Sequence, residues 1–162
     1  MCVVVKNIVD EDFLQYKKPS MFVGFSRCNF KCGTILCQNS VLAESPDITL
    51  HAKAICDRYG RNEITKAIVL GGLDPFDTPE QCFELCVVFR NYFIDEIVIY
   101  TGYTEEELSN DSGILGQCYN SICSLGNIII KYGRYIPNEI PHYDEILGVN
   151  LASNNQYAKY YE

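Results

Sequence analysis

The sequence predicts an α/β fold on a mainly parallel sheet, and three observations carry that expectation. Short continuous apolar runs recur at 21–25, 66–70, 96–100 and 127–131. Their unbroken hydrophobicity suits strands covered on both faces better than a half-exposed sheet. Between them lie segments with helical periodicity and helix-start signals, the strand–helix alternation of a parallel sheet. The chain has 162 residues, 48% of them hydrophobic, and shows neither an internal repeat nor a Gly/Ser-rich linker. It is therefore expected to form one compact domain over 1–162 with a single core.

The elements follow in order. The opening apolar run, Cys2 to Val5, stops at Lys6. That is too short for a signal-peptide core or a membrane span, so a cytoplasmic protein without membrane association is expected. Met21 to Phe25 reads as a strand that leads into a cysteine-rich loop, and Thr49 to Tyr59 as an amphipathic helix with Thr49 as its cap. Lys66 to Leu70 is a second strand, turning at Gly71-Gly72. The sequence TPEQ from Thr78 then supplies a cap, a proline at the first helical position and a Gln that completes a capping box, for a helix to about Tyr92. Glu96 to Tyr100 is a third strand, followed by the turn Thr101-Gly102-Tyr103 and a helix start at TEEEL, where carboxylates favour the helix N-terminus. Asn127 to Lys131 is a fourth strand, and LGVNLAS after Pro141 suits a last one. In such sheets ligands gather beyond the carboxyl ends of the strands, where every loop of interest here falls.

Composition narrows the function classes. Thirteen Lys and Arg against 21 Asp and Glu give a formal charge of −8. Nucleic acids and anionic membranes require a basic face, so neither is an expected partner. Nine cysteines, an odd number at irregular spacing, suit a reducing compartment and thiolate chemistry rather than a disulfide framework.

The densest cysteine signal is SRCNFKCGTILCQNS, in which Cys28, Cys32 and Cys37 follow a strand with three and then four residues between them. Zinc sites and ordinary ferredoxin clusters recruit four ligands, whereas this loop offers three with no His nearby. A cubane on three thiolates leaves one iron open to an external chelator, and the amino and carboxylate groups of S-adenosylmethionine fill that role. The blander reading is three unligated buried thiols. Cys82 and Cys86, flanked by Phe83, Val87 and Phe89, read as a helix core face, and Cys118 and Cys123 as structural. His51 is placed on a helix surface, His142 in a loop, and Glu105-Glu106-Glu107 in a solvated first turn. The tyrosines of QYAKYYE suit an interface or a loosely packed tail.

Five segments in order then carry a family likeness: Cys28/Cys32/Cys37 with Gln38-Asn39, GGLDPF from Gly71, YTGYTEEEL from Tyr100, GRY from Gly133, and LASNNQ from Leu151. With these, the chain from Met21 to about Ala158 resembles the activating enzymes of anaerobic (class III) ribonucleotide reductases, within the radical S-adenosylmethionine superfamily. It departs from their pattern in a second cysteine gap of four residues rather than two, in Leu73 inserted between Gly72 and Asp74, and in Tyr132, where relatives often carry an acid.

The resemblance implies an incomplete, open (βα) barrel of the radical SAM type. It implies a [4Fe–4S] cluster on Cys28, Cys32 and Cys37, with S-adenosyl-L-methionine placed by the backbone near Leu36, by Gly71 and Gly72, and by Asp74. The implied partners are a glycyl-radical protein like the anaerobic ribonucleotide reductase and a flavodoxin-like or other one-electron donor. Two alternatives stand beside it: a radical enzyme acting on another peptide or small molecule, and a non-catalytic iron–sulfur or zinc module.

Overall fold

The structure is a computed structural model that describes residues 1–31, 33, 37 and 39–162. Its elements are strands β1 (Cys2–Asp12) and β2 (Ser20–Phe25), helix α1 (Ser40–Glu44), β3 (Ile48–His51), α2 (Ala52–Gly60) and β4 (Ala67–Gly72). A 3₁₀ turn at Pro75–Asp77 leads into α3 (Pro79–Tyr92), followed by β5 (Glu96–Tyr100), α4 (Glu105–Ser109), α5 (Ile114–Cys123) and β6 (Ile128–Tyr132). The chain closes with β7 (His142–Asp144), β8 (Val149–Leu151) and β9 (Tyr157–Tyr161).

Seven strands form one sheet in the order β3-β1-β2-β4-β5-β6-β9, and β7 and β8 form a separate hairpin. The central four, β2, β4, β5 and β6, are parallel, and they are the four strands read from the apolar runs. The flanks are antiparallel: β1 on β2, β3 on β1 and β9 on β6. The sheet is open, ending at β3 on one side and β9 on the other, and does not close into a barrel.

Alternation along the strands sorts side chains between two layers. Ile97 and Ile99, with Ile128, Ile130 and Tyr132, join the larger cluster with Leu85 and Phe89 of α3 and Tyr119 and Ile122 of α5. Val69, Val98 and Ile129 face the other way, onto Tyr16, Leu147 and Leu151. Helices therefore cover one face, while the β1–β2 connection and the β7–β8 hairpin cover the other. That second covering leaves the carboxyl ends of the parallel strands accessible from one side.

Several local expectations are corrected. Thr49 lies within β3, paired with Val4, and α2 begins at Ala52, so Thr49 is not a cap. Gly71 and Gly72 are the last residues of β4, paired with Gly24 and Phe25, rather than the turn itself. Thr78 does precede α3, but at φ −131°, ψ 66° its side chain makes no capping bond and its buried hydroxyl has no partner among the described residues. The 3₁₀ turn immediately ahead dictates that geometry. The capping box lies instead at Thr104 and Glu107 of α4. LGVNLAS contributes β8 to the hairpin and not to the main sheet, and QYAKYYE is an ordered edge strand rather than a loose tail. No helix among the described residues is long and apolar enough to cross a membrane.

Candidate functional site

Beyond Phe25, Gly72, Tyr100 and Tyr132, the carboxyl ends of the four parallel strands, the chain enters four loops that meet around two adjoining clefts. The smaller, about 130 Å³, is lined by Cys28, Cys37, Gly72, Asp74, Lys131 and Arg134. The larger, about 330 Å³, extends over Phe22, Gly71 and Tyr100 toward Leu151 and Ala152 of the β8 end. Asn39, Gly72, Leu73, Gly102, Lys131 and Gln156 border both.

Each loop is held by bonds to its neighbours. Cys28 stands three residues beyond the β2 end, just after Arg27, whose O accepts from Asp74 N at 2.7 Å. Asn29 is fixed by Asp77, which accepts from its amide N–H at 2.7 Å, and by a bond of 2.9 Å from its side-chain Nδ2 to Tyr103 Oη. Tyr103 donates in turn to Asp77 at 2.6 Å. Beyond Cys37, Asn39 Nδ2 donates to the carbonyl of Gly72 at 2.7 Å. Gly72 has φ +85°, and a Cβ there would stand 2.7 Å from Gly24 Cα, so only glycine permits the β2 and β4 ends to approach this closely. Cys28 and Cys37 are both half-buried. Cys32 and Leu36 lie outside the described residues.

Asp74 is buried and accepts from Phe76 N at 3.0 Å, Thr101 Oγ1 at 3.0 Å and Gly102 N at 2.8 Å. It therefore ties the loop after β4 to the loop after β5. Burial outweighs these bonds, and the nearby Asp77 carboxylate adds to it, so its pKa is pushed up to about 6.

Lys131 is the residue that sequence reasoning missed. It belongs to the buried-strand run NIIIK and reads there as a strand end. In the structure it is only 8% exposed, borders both clefts, and donates from Nζ to Gly133 O at 2.9 Å. Burial brings its ammonium down to about 8, against a smaller opposing pull from Asp74. An ammonium has three donors, and the cleft is where an anionic group would meet the others. Its cost to the fold is testable. With a folded pKa below the ordinary 10.5, the penalty is fully present below pH 8 and fades as pH rises from 8 to 10.5. Lys131→Met is expected to raise stability at pH 7 by about 2 kcal/mol, with the gain shrinking above pH 8 in denaturation measurements.

The remaining motifs have structural roles. Gln156 Nε2 donates to Gly133 O at 3.1 Å, while its Oε1 accepts from Ala152 and Ser153 amides. Asn155 Nδ2 donates to Arg134 O at 2.8 Å. LASNNQ thus straps the GRY segment to the cleft wall. Tyr132 turns away from the clefts, its hydroxyl 2.9 Å from that of Tyr119 and 2.6 Å from that of Tyr161. Glu107 serves the capping box and pairs with Arg134, and Glu105 pairs with Lys159 of β9, so the acidic turn is engaged rather than merely solvated.

The other candidates fall outside the site. His51 ends β3, not a helix, with its Nδ1 3.7 Å from Cys2 Sγ. His142 is in β7, not a loop, bonded through Nε2 to Gln156 O at 2.7 Å. Cys82 and Cys86 lie in the core as their neighbours suggest. Burial pushes the Cys56 thiol up to about 12 and Cys123 to about 11, and raises Cys118, so these remain protonated and are poor ligands.

The donor set fits an iron–sulfur cluster. Two thiols from one loop face a common recess beside a glycine strand end and a buried cation. Among the described residues no three His, Cys, Asp or Glu side chains form a metal-binding group, Cys32 lying outside them. No curated protein and no solved structure matches the chain. A family model described as a 4Fe-4S single cluster domain matches residues 18–143, which take in the cysteine loop, the glycine end of β4, Asp74 and Lys131. With more than half of its length matched, the chain belongs to the 4Fe-4S single cluster domain family.

Proposed function

We propose that the chain is a radical S-adenosylmethionine enzyme that activates a glycyl-radical protein. One observation carries this reading: in a chain of a 4Fe–4S family, Cys28 and Cys37 share a recess with Gly72 and the buried Lys131 ammonium. Cys28, Cys32 and Cys37 would hold three irons of a [4Fe–4S] cluster. A reduced cluster held there would supply the one electron needed to break the C5′–S bond of S-adenosylmethionine, giving methionine and a 5′-deoxyadenosyl radical able to take hydrogen from a glycine Cα of the partner.

This chain's own residues bind and orient. Gly71, which lines the larger cleft, lets a ligand approach backbone there, while the room left by the missing Cβ of Gly72 is taken by Gly24 and Leu42. Lys131 supplies donors for the carboxylate of the amino-acid moiety, and the backbone near Leu36 receives the adenine. Asp74 keeps its carboxylate on Thr101 and Gly102, so its part is to hold the cleft's shape. The open sheet leaves room for a loop of a protein partner resembling anaerobic ribonucleotide reductase, with a flavodoxin-like or other one-electron donor as reductant.

The test is anaerobic reconstitution with iron and sulfide, reduction by dithionite in the presence of S-adenosylmethionine, and chromatography for 5′-deoxyadenosine. Product is the expected result. A stable cluster without product would favour a non-catalytic iron–sulfur module, and absence of any cluster would overturn the reading.

A further inference from the structure

Asn39 occupies the N-cap position of α1, where its side chain would ordinarily accept from the first-turn amides. It makes no such bond. Its amide instead crosses to β4 and donates to Gly72 O at 2.7 Å. Forgoing a cap costs about 1 kcal/mol, and α1, five residues long with none buried, has little other support. The side chain is therefore committed to the tie and not to the helix.

That tie has a counterpart. Asp77 and Tyr103 fix Asn29, immediately after Cys28, and Asn39 fixes the chain two residues beyond Cys37. The loop between these two fastenings carries Cys32 and Cys37, with Cys28 immediately before the first, and its second cysteine gap spans four residues. A longer loop has more conformations to lose when its ends are held, so the fastening nearest Cys37 matters more as the gap grows. The Leu42 side chain of α1 lies against the same glycine, 3.0 Å from where a Gly72 Cβ would stand.

We propose that Asn39 is a positioning residue that sets Cys37 in the recess by holding the trailing end of the cysteine loop to the Gly72 carbonyl. The inference rests on the reading of Cys28, Cys32 and Cys37 as the cluster ligands. It adds that the donor of Asn39, rather than its helix-capping capacity, secures the third thiolate.

Two variants separate these roles. Asn39→Ala removes the donor together with any capacity to cap, whereas Asn39→Asp keeps a capping acceptor but cannot donate to a carbonyl. In the reconstituted protein, both are expected to release iron to a chelator about five- to tenfold faster than the parent, the equivalent of one lost hydrogen bond. In the metal-free protein, with peptide mapping of alkylated thiols, both are expected to change the labelling rate of Cys37 by several-fold, about the same factor, and to leave Cys28 unchanged. Recovery of parental iron release and Cys37 labelling in Asn39→Asp would reduce Asn39 to a helix cap and overturn the proposal, as would no change in either variant. If the parent takes up no cluster the functional reading fails, and the Cys37-to-Cys28 labelling ratio alone then decides the role of Asn39.

Discussion

Cys37→Ala and Cys28→Ala are each expected to lose the bound cluster, and with it all formation of 5′-deoxyadenosine above background. The argument is one of supply. A three-thiolate set has no spare member, and the remaining cysteines are poorly placed to substitute. Cys56, Cys82, Cys86 and Cys118 are buried in the core, and burial holds Cys56, Cys82 and Cys118 protonated. Cys123 is half-buried and raised to about 11. Among the described cysteines only Cys2 is exposed, and it lies against His51 at the start of β1. Cys2→Ala is the matching control and should retain the cluster. Iron and sulfide analysis after anaerobic reconstitution reads the result directly. Full iron content in Cys37→Ala would remove that residue from the ligand set and, with it, the basis for reading the enlarged loop as a cluster loop.

The parallel core was legible because its strands are covered on both faces, so hydrophobicity alone marks them. Strand β1 was not. Its residues beyond Val5 include Lys6, Asn7, Asp10 and Glu11, and it runs partly exposed along the flank, where pairing rather than burial makes the strand. Helix α5, with Gly116 in its first turn, was not legible either. A Cβ there would meet Asp111 O at 1.9 Å, so the glycine answers to a close backbone approach that no local pattern reveals. Strand β9 was obscured by its tyrosines, although Ala158 packs beneath the sheet and three of those tyrosines make specific bonds. At the site, the cysteine spacing and the glycine pair were visible because their chemistry is local. Lys131 was not, since it is defined by its burial, and Asn39 was visible as a motif residue but not its role, which is a bond to a residue 33 positions away. Asp74 was visible as a motif residue, but its division of labour was open until three donors were found on its carboxylate.

That carboxylate gives a second large effect with a definite sign. Asp74→Asn keeps the shape and one acceptor oxygen, but an amide nitrogen then faces a group that donates to Asp74, leaving that donor unpaired at a cost of about 1–3 kcal/mol. The charge adds a pH-dependent part. An acid whose folded pKa stands near 6 rather than 3.8 loses its proton first in the unfolded chain as pH rises, so the parent falls in stability between about pH 4 and pH 6 relative to a variant that cannot ionise. A shift of that size corresponds to about 3 kcal/mol. The parent should therefore exceed Asp74→Asn by the largest margin near pH 4, and the margin should close by about that amount on reaching pH 7. Denaturant unfolding of both metal-free proteins at the two pH values measures it, and a margin that is constant or widens with pH would contradict a buried, reluctantly ionised Asp74. The direction also bears on function. Near neutrality the fold carries both the Asp74 carboxylate and the Lys131 ammonium at a burial cost that their hydrogen bonds and mutual attraction only partly offset, and buried groups perturbed in this way cluster where a cleft binds a ligand.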